Sequence, residues 1–370
     1  MRDLSHIKTV VIKIGTALLS SDTGIDNARI DIVCEQIAAI KQKGIHVILV
    51  TSGAIGLGAK EIKHNNKVCY IPLRQACAAI GQPILMQHYR ESFNKYNILC
   101  SQVLINKRDL NNRKSYINLR ASVSTLLSMG VVPIFNENDT VSTAEIGAAF
   151  GDNDRMCAMV ASKIDADLLV LLTDVDAVYT ANPKVDINAK KLDEIKVVDS
   201  SILALAGGAG STFSTGGMKT KLLAAQIAGQ ASCATIIAHG REENIITRLL
   251  DGEELGTYIY PSRRLTQLQR WILNNSKNGK LIVDDGAVNA LRNHKSLLFK
   301  GLVDVQGNFS VDDVVEIVTL SGVSFAKAKV NYSSNDLVLF KGLDSKEVFK
   351  LSGKKDYIFR PDDMVIISNE

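Results

Sequence analysis

The 370-residue sequence lacks the features that mark fibrous, disulfide-bonded or membrane-spanning chains. It contains 6 prolines, 1 tryptophan and 5% aromatic residues, and its 6 cysteines form no C-x-x-C pair. Cysteines scattered in this way predict reduced thiols rather than a disulfide framework or a zinc site. The apolar runs, such as VILVT, have the length of strands and fall short of the roughly 20 residues that a membrane helix needs. We therefore expect no membrane association.

A strong charge of one sign is also missing. Lys and Arg number 43 against 39 Asp and Glu, a formal net charge of +4, which does not by itself indicate a nucleic-acid partner. The first residues, MRDLSHIK, lack the apolar stretch of a secretory signal, so we expect a cytoplasmic protein. With 46% hydrophobic residues the chain can bury a substantial core, and its length suits about two domains.

Residues 1–260 alternate short β-rich runs with longer helical patterns. The strand candidates are Thr9–Ile14, His46–Thr51, Ile98–Ile105, Val131–Asn136, Leu168–Thr173 and Thr235–Ala238. The helix candidates are Asp26–Lys43, Arg74–Tyr96, Arg113–Met129, Asp152–Lys163, Met218–Gly229 and Glu242–Leu250. Gly44 and Gly229 are expected to cap the helices before them. Nearly continuous apolar strands between amphipathic helices predict an α/β fold, with a mainly parallel open sheet sandwiched by helices.

The sequence pattern changes after Pro261. Residues 261–278 resemble a linker with a helical turn and contain the only tryptophan, Trp271. Residues 279–370 then contain short β-rich runs separated by Gly and Asn turns, which predict a small, mostly β domain. We therefore expect three segments: an α/β domain over 1–260, a linker over 261–278 and a β domain over 279–370.

Lys13 stands inside the apolar strand candidate TVVIKI, followed by Gly15. A buried, unpaired ammonium is costly, so a lysine here requires a reason. Ligands of parallel sheets gather at the carboxyl ends of the strands, where Lys13 would reach an anion that the glycine allows to approach closely. The alternative is a surface lysine on an edge strand, and the segment does not match the Walker pattern.

The next strand candidate ends in a glycine-rich turn, VTSGAIGLGAK. Thr51 and Ser52 are followed by Gly53, Gly56 and Gly58. Glycines at a strand-to-helix turn leave backbone N–H groups available to a carboxylate or phosphate. The segment is therefore a candidate oxyanion site, with an ordinary turn as the alternative.

Two clusters of Asp and Asn flank one loop. The first, Asn136–Asp139, follows a strand candidate, and the second, Gly151–Asp154, opens a helix candidate. Asp152 alone would be read as a helix N-cap. Together the clusters exceed what capping requires, and they favour a site for an ammonium group or for lysine side chains.

Two further segments indicate a nucleotide. Thr173 and Asp174 close an apolar strand candidate, although a turn would use the same residues. Residues 207–217 form a loop rich in glycine and hydroxyl groups before a helix that carries Lys219 and Lys221. Helix N-terminal amides and a first-turn lysine suit a polyphosphate. A flexible linker is the alternative, but long loops inside compact domains are usually functional.

In this order, the segments resemble the amino acid kinase family, and within it the kinases that phosphorylate glutamate. The matching pieces are VIKIGT, VTSGAI, FNENDTVSTAEI, GDND, LLTDVDAVYTANP and TGGMKTK. The tail, with LIVDDGAVNAL and KGLVDVQGNFSVDDVVEI, resembles the PUA domain that many of these kinases carry.

The resemblance implies ATP-dependent phosphorylation of the γ-carboxylate of L-glutamate to L-glutamyl 5-phosphate, the first step of proline biosynthesis. It implies that Lys13 and Lys221 neutralise the transferring phosphoryl group and that Asp154 holds both lysines in place. The implied glutamate-binding residues are Ser52, Gly53, Asp139 and Asn153. The implied ATP-binding residues are Lys13, Thr173, Asp174, Thr215, Gly216, Gly217, Met218, Lys219, Thr220 and Lys221.

The residue types agree with this chemistry. The side chain of glutamate has an unperturbed pKa of about 4.3, so at neutral pH it is already a nucleophile and requires no general base. That agrees with the absence of His from the quoted motifs. Positive charge and alignment are what the transfer requires. Mg²⁺ is expected to rest mainly on ATP oxygens, because it keeps waters and takes few protein ligands, and we assign no residue as a metal ligand.

The resemblance also implies regulation and assembly. Relatives are inhibited by L-proline at or near the glutamate site and form dimers or tetramers, so we expect a homo-oligomer. Kinases of aspartate, N-acetylglutamate, carbamate or UMP are alternatives within the fold. The segments KIGT and TAEI…GDND and the PUA-like tail favour glutamate.

An RNA-binding protein is an alternative from another class, because PUA domains elsewhere bind RNA. Residues 276–370 carry 13 Lys and Arg against 13 Asp and Glu, so their charges cancel. Such a tail lacks the basic surface expected of phosphate-backbone binding. We therefore expect a structural or assembly role for the tail and no nucleic-acid partner.

Overall fold

In the computed structural model, the chain divides into two compact units, Met1–Arg264 and Leu265–Glu370. The structure describes residues 1–21, 24–64, 66, 68–106, 109–110, 112–141, 153–183, 185–205, 217–262, 265–274, 279–353 and 355–367. No disulfide joins any of the 6 cysteines, all of which lie in these ranges. No helix in these ranges combines the length and the apolarity that a membrane crossing requires.

The first unit is built on an eight-stranded sheet. Its strands are β1 (Thr9–Ile14), β4 (His46–Val50), β5 (Cys100–Ile105), β6 (Val132–Glu137), β7 (Leu168–Thr173), β10 (Glu194–Ile195), β11 (Ala234–His239) and β12 (Thr257–Ile259). Two short pairs lie outside it, β2 (Ser20–Ser21) with β3 (Gly24–Ile25) and β8 (Val178–Tyr179) with β9 (Lys191–Leu192). The strand order is β10-β12-β11-β7-β1-β4-β6-β5, and β11–β12 is the antiparallel pair.

Helices cover both faces of this sheet. They are α1 (Thr16–Leu19), α2 (Asn27–Gln42), α3 (Ala54–Glu61), α4 (Ile71–Asn94), Arg113–Ser128, Asn153–Ile164, Ser200–Leu205, Met218–Gly229 and Ile245–Leu250. We refer to Asn153–Ile164 as the Asp154 helix and to Met218–Gly229 as the Lys221 helix. The predicted α/β sandwich with a mainly parallel sheet is confirmed.

Successive side chains of β1 point to opposite faces of the sheet and therefore enter two different hydrophobic cores. Val10, Ile12 and Ile14 belong to one core, and Val11 belongs to the other. Because side chains alternate along a strand, Lys13 shares the face of Val11. β1 lies between β4 and β7 in the middle of the sheet, so Lys13 is not the edge-strand lysine of the alternative interpretation.

Two glycines that we expected to cap helices behave differently. Gly44 has a φ of 81° and its N–H donates to the carbonyl of Lys41 at 2.9 Å, as a capping glycine does. Gly229 instead ends the Lys221 helix, and Ser232 takes the left-handed conformation at φ 60°. The cap predicted at Gly229 is therefore wrong. A Cβ at Gly229 would lie 3.2 Å from the backbone nitrogen of Ser262, so close packing explains this glycine.

The second unit contains a five-stranded sheet in the order β14-β13-β15-β16-β17. Its strands are β13 (Gly279–Val283), β14 (Leu302–Gly307), β15 (Val314–Thr319), β16 (Ser324–Lys329) and β17 (Met364–Ile366). Its helices are Gln267–Asn274, Asp285–Arg292, Ser334–Phe340 and Ser345–Ser352, with 3₁₀ turns at Phe299–Gly301 and Pro361–Asp363. This is the small, mostly β fold that the sequence predicts for its tail, and it has a core of its own, in which the rings of Phe299 and Tyr332 meet edge to face at 5.1 Å.

The segment that we expected to be a linker contains a helix of the second unit. In Gln267–Asn274, Trp271 and Ile272 are buried and cluster with Val314 and Val365. The apolar side chains of this helix therefore add to the second unit.

Candidate active site

The candidate site residues follow neighbouring strands at one edge of the first sheet. In register, Lys13 of β1 lies beside Val50 of β4 and Leu171 of β7. The turn after β4, the loop after β6 and the residues after β7 therefore meet beside the end of β1, since the strands run parallel. Carboxyl ends of parallel strands are where open α/β sheets bind ligands.

A buried cluster of charges lies at this edge. Lys13 Nζ is 2.6 Å from Asp154 Oδ1, and Lys221 Nζ is 3.0 Å from Asp154 Oδ2. Asp154 is 0% exposed, Lys13 8% and Lys221 5%. Thr220 Oγ1 also lies 3.2 Å from Asp154 Oδ2. The structure thus brings together the three residues that the sequence assigns to catalysis.

Two ammonium groups contact one carboxylate in this cluster. A buried charge is costly unless a partner of opposite sign compensates it. Asp154 therefore stabilises the burial of Lys13 and Lys221 and fixes both ammonium groups at the ligand-binding edge of the sheet.

Gly15 leaves space beside the ammonium of Lys13. A Cβ at this position would lie 3.6 Å from Lys13 Nζ and 3.7 Å from the carbonyl oxygen of Leu172. A side chain here would occupy the approach to the ammonium, and glycine keeps that approach open.

The turn after β4 is held by short polar contacts. Thr16 Oγ1 donates to Ser52 Oγ at 2.9 Å, and Ser52 Oγ donates to the carbonyl of Ile14 at 3.3 Å. Asn153 Nδ2 donates to the carbonyl of Thr51 at 2.9 Å. Ser52 and Asn153, both predicted to bind substrate, are therefore close together at this turn, and Asn153 immediately precedes Asp154 in the chain.

The backbone conformation at Gly53 requires a glycine. It precedes α3 with a φ of 103°, in the left-handed region that side chains disfavour. Since glycine has no side chain to cap the helix, the first N–H groups of α3 face the space before it. This agrees with a site for a carboxylate, and the binding role of Gly53 stays a prediction.

The other glycines of this segment have different uses. A Cβ at Gly58 would lie 1.8 Å from the carbonyl oxygen of Cys77, and one at Gly81 would lie 1.8 Å from that of Ala54. Both glycines therefore allow the backbones of α3 and α4 to touch. Gly56 faces open space. The interpretation of all three glycines of the segment as an oxyanion site is thus too broad, because one of them serves helix packing.

Asp139 lies in the loop after β6 and is half-buried. Burial raises the pKa of its carboxyl group, and the charge of Arg74, in the first turn of α4, acts in the opposite direction. Asp139 is predicted to bind the substrate's ammonium group, and Arg74 is a neighbour that sequence reasoning missed. No local pattern links residues so far apart in the sequence.

A second pair was also missed. Asn136 Nδ2 donates to Gln82 Oε1 at 2.8 Å, and both side chains are buried. Asn136 belongs to a cluster singled out in the sequence, whereas Gln82 lies within a helix candidate and has no motif around it. Only the packing of α4 against the sheet brings the two amides together.

The nucleotide-binding candidates lie on the other side of β1. Thr173 ends β7, its Oγ1 donates to Asp174 Oδ1 at 3.0 Å, and its carbonyl accepts from Gly240 N at 2.8 Å. Gly217 precedes the Lys221 helix as its N-cap, and Thr220 Oγ1 donates to its carbonyl at 2.6 Å. The start of this 12-residue helix therefore lies next to Asp154.

The remaining candidates are less constrained. Met218 is half-buried and Lys219 is exposed in the first turn of the Lys221 helix. Thr215 and Gly216, like Gly151 and Asp152, lie outside the described residues.

The described ranges contain no group of three or more His, Cys, Asp or Glu side chains that could hold a metal ion. Asp154, the buried carboxylate of the site, directs its two oxygens at lysines.

Comparisons with known proteins agree on one family. The model of the Amino acid kinase family matches residues 8–239, and that of the PUA domain matches residues 279–351. A glutamate 5-kinase from Methanosarcina barkeri is 40% identical over 377 aligned positions, which cover 99% of this chain and 98% of that protein. A glutamate 5-kinase from Carboxydothermus hydrogenoformans is 40% identical, with 98% and 99% covered.

The fold is similar to that of a solved kinase. Carbamate kinase from Giardia lamblia bound to AMP-PNP has a TM-score of 0.51 and 20% sequence identity over 69% of this chain and 99% of that one. At this identity the likeness concerns the fold alone. The family match, together with relatives similar over nearly the whole length, shows that the chain belongs to the amino acid kinase family, in its glutamate 5-kinase branch with a C-terminal PUA domain.

Proposed function

We propose that this protein transfers the terminal phosphoryl group of ATP to the γ-carboxylate of L-glutamate and so forms L-glutamyl 5-phosphate, the first step of proline biosynthesis. The observation that carries the proposal is the buried cluster of Lys13, Asp154 and Lys221 at the ligand-binding edge of the sheet. It occurs in a chain whose full-length relatives are glutamate 5-kinases.

The reaction joins two anions. A γ-carboxylate oxygen of glutamate forms a bond to the terminal phosphorus of ATP, the bond from that phosphorus to the bridging oxygen breaks, and ADP leaves with the electron pair. The carboxylate is ionised at neutral pH, so no side chain has to remove a proton. The protein's task is to overcome repulsion and to align the reactants.

Lys13 and Lys221 would supply the positive charge. Their ammonium groups are held by different oxygens of the same carboxylate, so their separation is set before substrate arrives. Donors fixed in this way stabilise developing charge without reorganising during the reaction. Asp154 is then a positioning residue, because it acts through the two lysines.

Glutamate would bind between the turn after β4 and the loop after β6. Ser52, Gly53 and Asn153 lie at that turn. Asn153 immediately precedes Asp154 in the chain, so it is proposed to direct the γ-carboxylate toward the lysines. Asp139 offers a carboxylate to the ammonium group, and its ionised form is the one that attracts it. These assignments agree with the geometry and await substitution.

ATP would bind on the side of β7 and the Lys221 helix. Gly217 is the N-cap of this helix, and its lack of a side chain leaves the first N–H groups open to phosphate oxygens. Thr173, Asp174 and the segment from Thr215 to Lys221 are proposed to contact the nucleotide. Mg²⁺ would accompany ATP and reduce the negative charge on its phosphates, resting mainly on phosphate oxygens and water.

We further propose L-proline as a feedback inhibitor at the glutamate site, a homo-oligomer of two or four chains, and a cytoplasmic location. A structural or assembly role is proposed for the PUA domain rather than RNA binding, because residues 276–370 carry equal numbers of basic and acidic residues, 13 each. Competition kinetics with proline, light scattering and an RNA shift assay on the full chain test these proposals. Binding of RNA that weakens as salt rises would contradict the last.

The direct test of function is turnover of ATP with L-glutamate in the presence of hydroxylamine, which traps the acyl phosphate as a hydroxamate. We expect ADP and hydroxamate to form in equal amounts and only when glutamate is present. L-Aspartate, N-acetylglutamate, carbamate and UMP serve as alternative acceptors in a coupled ADP assay. Preference for any of these over glutamate, or no glutamate-dependent product, would reject the proposal.

A further inference from the structure

Gln82 is a buried polar side chain that the proposed reaction does not yet use. It lies in α4, is 7% exposed, and its Oε1 accepts a hydrogen bond from Asn136 Nδ2 at 2.8 Å. Its other amide atom, Nε2, is buried and finds no hydrogen-bond partner within the described ranges. A buried donor without an acceptor carries the full desolvation penalty of its N–H groups, so this atom requires a reason.

The backbone determines which way the amide of Gln82 points. Glu137 donates its N–H to Asn136 Oδ1 at 3.0 Å, which leaves Asn136 Nδ2 to face Gln82. Gln82 must then present its oxygen to Asn136, because two amide NH₂ groups cannot hydrogen-bond to each other. The group left over is therefore a donor, and a donor selects an anion or another acceptor rather than a cation.

The surroundings of α4 place Gln82 beside the turn after β4. Its neighbour Gly81 packs directly against the carbonyl of Ala54 in the first turn of α3. Two helical turns further along, Tyr89 pairs its hydroxyl with Thr51 Oγ1 at 2.9 Å. Residues seven apart share one face of a helix, so Gln82 lies on the face of α4 that meets the end of β4.

The position of Gln82 also separates it from the lysine cluster. Its partner Asn136 is in β6, and in the sheet β4 stands between β6 and β1, which carries Lys13. Neighbouring strands are about 4.8 Å apart, so β6 and β1 are about 10 Å apart. If the γ-carboxylate of glutamate meets the lysines, an acceptor near Gln82 belongs to the opposite end of the substrate.

We infer that Gln82 donates its free Nε2–H to the α-carboxylate of the amino acid substrate and thereby determines that the substrate carries this group. The inference rests on the proposed function. The N–H groups at the start of α3, behind Gly53, would add to the same carboxylate, because the positive end of a helix attracts anions. Asp139 would take the ammonium group on the same carbon, so the three groups would recognise an α-amino acid.

Substitution of Gln82 can separate its two hydrogen-bonding roles. Gln82→Glu keeps an oxygen that accepts from Asn136 Nδ2 and replaces the free donor with a negatively charged acceptor. Gln82→Met removes both groups at similar size. Gln87→Glu is the matched control, since Gln87 is exposed on the same helix and bonds only to Glu91 at 2.8 Å among the interactions found in the described chain.

The measurement compares L-glutamate with 4-aminobutyrate, which is glutamate without its α-carboxylate, by calorimetric Kd in wild type and variants. We expect Gln82→Glu and Gln82→Met to weaken glutamate binding about 10- to 100-fold, the range for a hydrogen bond to a charged group. In the two Gln82 variants the Kd of 4-aminobutyrate should change by less than about threefold. In Gln87→Glu the Kd of each ligand should change by less than about threefold. In these variants KM for ATP and kcat at saturating glutamate should stay within about threefold of the wild-type values.

The possible outcomes are distinguishable. Wild-type protein that forms no glutamate hydroxamate would reject the proposed function itself. If the wild type is active and the ratio of the two Kd values is unchanged in both folded variants, the assignment of Gln82 is overturned. Its Nε2 would then contact only a buried water. Should Gln82→Glu fail to fold, Gln82→Met gives the same comparison, because it introduces no charge.

Discussion

The chemistry proposed for Lys13 depends on which face of β1 it occupies and on its ion pair with Asp154. Within a strand, moving the lysine by one position would direct it at the apolar core of Val10, Ile12 and Ile14. At its actual position it reaches Asp154 at 2.6 Å. The carboxylate compensates the charge of the buried ammonium and fixes its position.

Replacement of Lys13 by Met should lower kcat far more than it raises KM for glutamate. Methionine fills similar space without charge, so the expected loss is about 10²- to 10³-fold in kcat, the size seen when one preorganised donor to the transition state is removed. Steady-state kinetics with hydroxamate detection measures both constants. Lys8→Met, at the exposed residue just before β1, is the control. Equal changes in kcat and KM would contradict the role of Lys13.

Asp139 should make glutamate binding depend on pH. Burial raises the pKa of its carboxyl group and Arg74 partly opposes that rise. As pH falls through this raised pKa the carboxylate is protonated and loses its attraction for ammonium, so KM for glutamate should rise. Arg74→Gln should move the inflection of KM to higher pH, whereas Arg90→Gln, at an exposed position of the same helix, should leave it in place.

The ionised carboxylate of Asp139 should also lower the stability of the folded protein at neutral pH. An acid whose pKa is higher in the folded than in the unfolded chain binds its proton more tightly when folded. Its contribution therefore favours the folded state at low pH and declines as pH rises from the unfolded pKa through the folded one. Asp139→Asn should accordingly raise Tm at neutral pH while weakening glutamate binding. A lower Tm, with the pH profile of KM unchanged in Arg74→Gln, would show that Asp139 is not the group that titrates.

At the scale of elements, the pair α3 and α4 forms one side of the candidate glutamate site. α3 is short and was not predicted as a helix, because AIGLGAKE contains two glycines and offers weak helical propensity. It is held by α4 through the backbone contacts that Gly58 and Gly81 permit. The position of Gly53, the first residue before α3, thus depends on a packing contact made elsewhere.

Alanine at two positions of α3 should have opposite effects. Gly58→Ala would place a Cβ 1.8 Å from the carbonyl oxygen of Cys77 and should destabilise the protein by about 1–3 kcal/mol, as overpacking does. Gly56→Ala meets nothing within 4 Å and should stabilise it by about 0.5–1 kcal/mol, by restricting the unfolded chain. Urea unfolding measures both. Similar free energies of unfolding for the two variants would mean that the helices do not touch at Gly58.

At the scale of the whole molecule, two units with separate cores share one chain. All the described candidate residues for the reaction belong to Met1–Arg264. The helix Gln267–Asn274, by contrast, forms a further apolar cluster of the second unit through Trp271 and Ile272. We therefore propose that a division of the chain into independent units falls close to residue 264, before this helix.

A fragment of residues 265–370 should be more stable than one of residues 279–370. The shorter fragment loses the contact of Trp271 with Val314 and Val365, and removing a buried Trp side chain costs about 3–5 kcal/mol. Urea unfolding followed by circular dichroism compares the two. In the longer fragment the fluorescence of Trp271, the only tryptophan, should change in the same transition. Equal stability would mean that the helix is no part of the second unit's core.

Much of the fold was predictable because its signals are local. β1 and β7 begin and end where the apolar runs predict, since both lie in the centre of the sheet with apolar neighbours on both faces. The Lys221 helix also has its predicted bounds, Met218–Gly229. The ends of α4 and the existence of α3 were less predictable, because tertiary packing rather than propensity decides them.

Local sequence patterns predicted the alternation of strands and helices, the α/β and β parts of the chain and, through ordered motifs, the candidate residues Lys13, Asp154 and Lys221. The contact of α3 with α4 through glycines, and that of Gln82 with Asn136, 54 positions away, follow from tertiary packing. The difference lies in the distance along the chain over which each signal acts. Periodicity and turn chemistry act between neighbours in the chain, whereas a buried amide's partner depends on where whole elements come to rest.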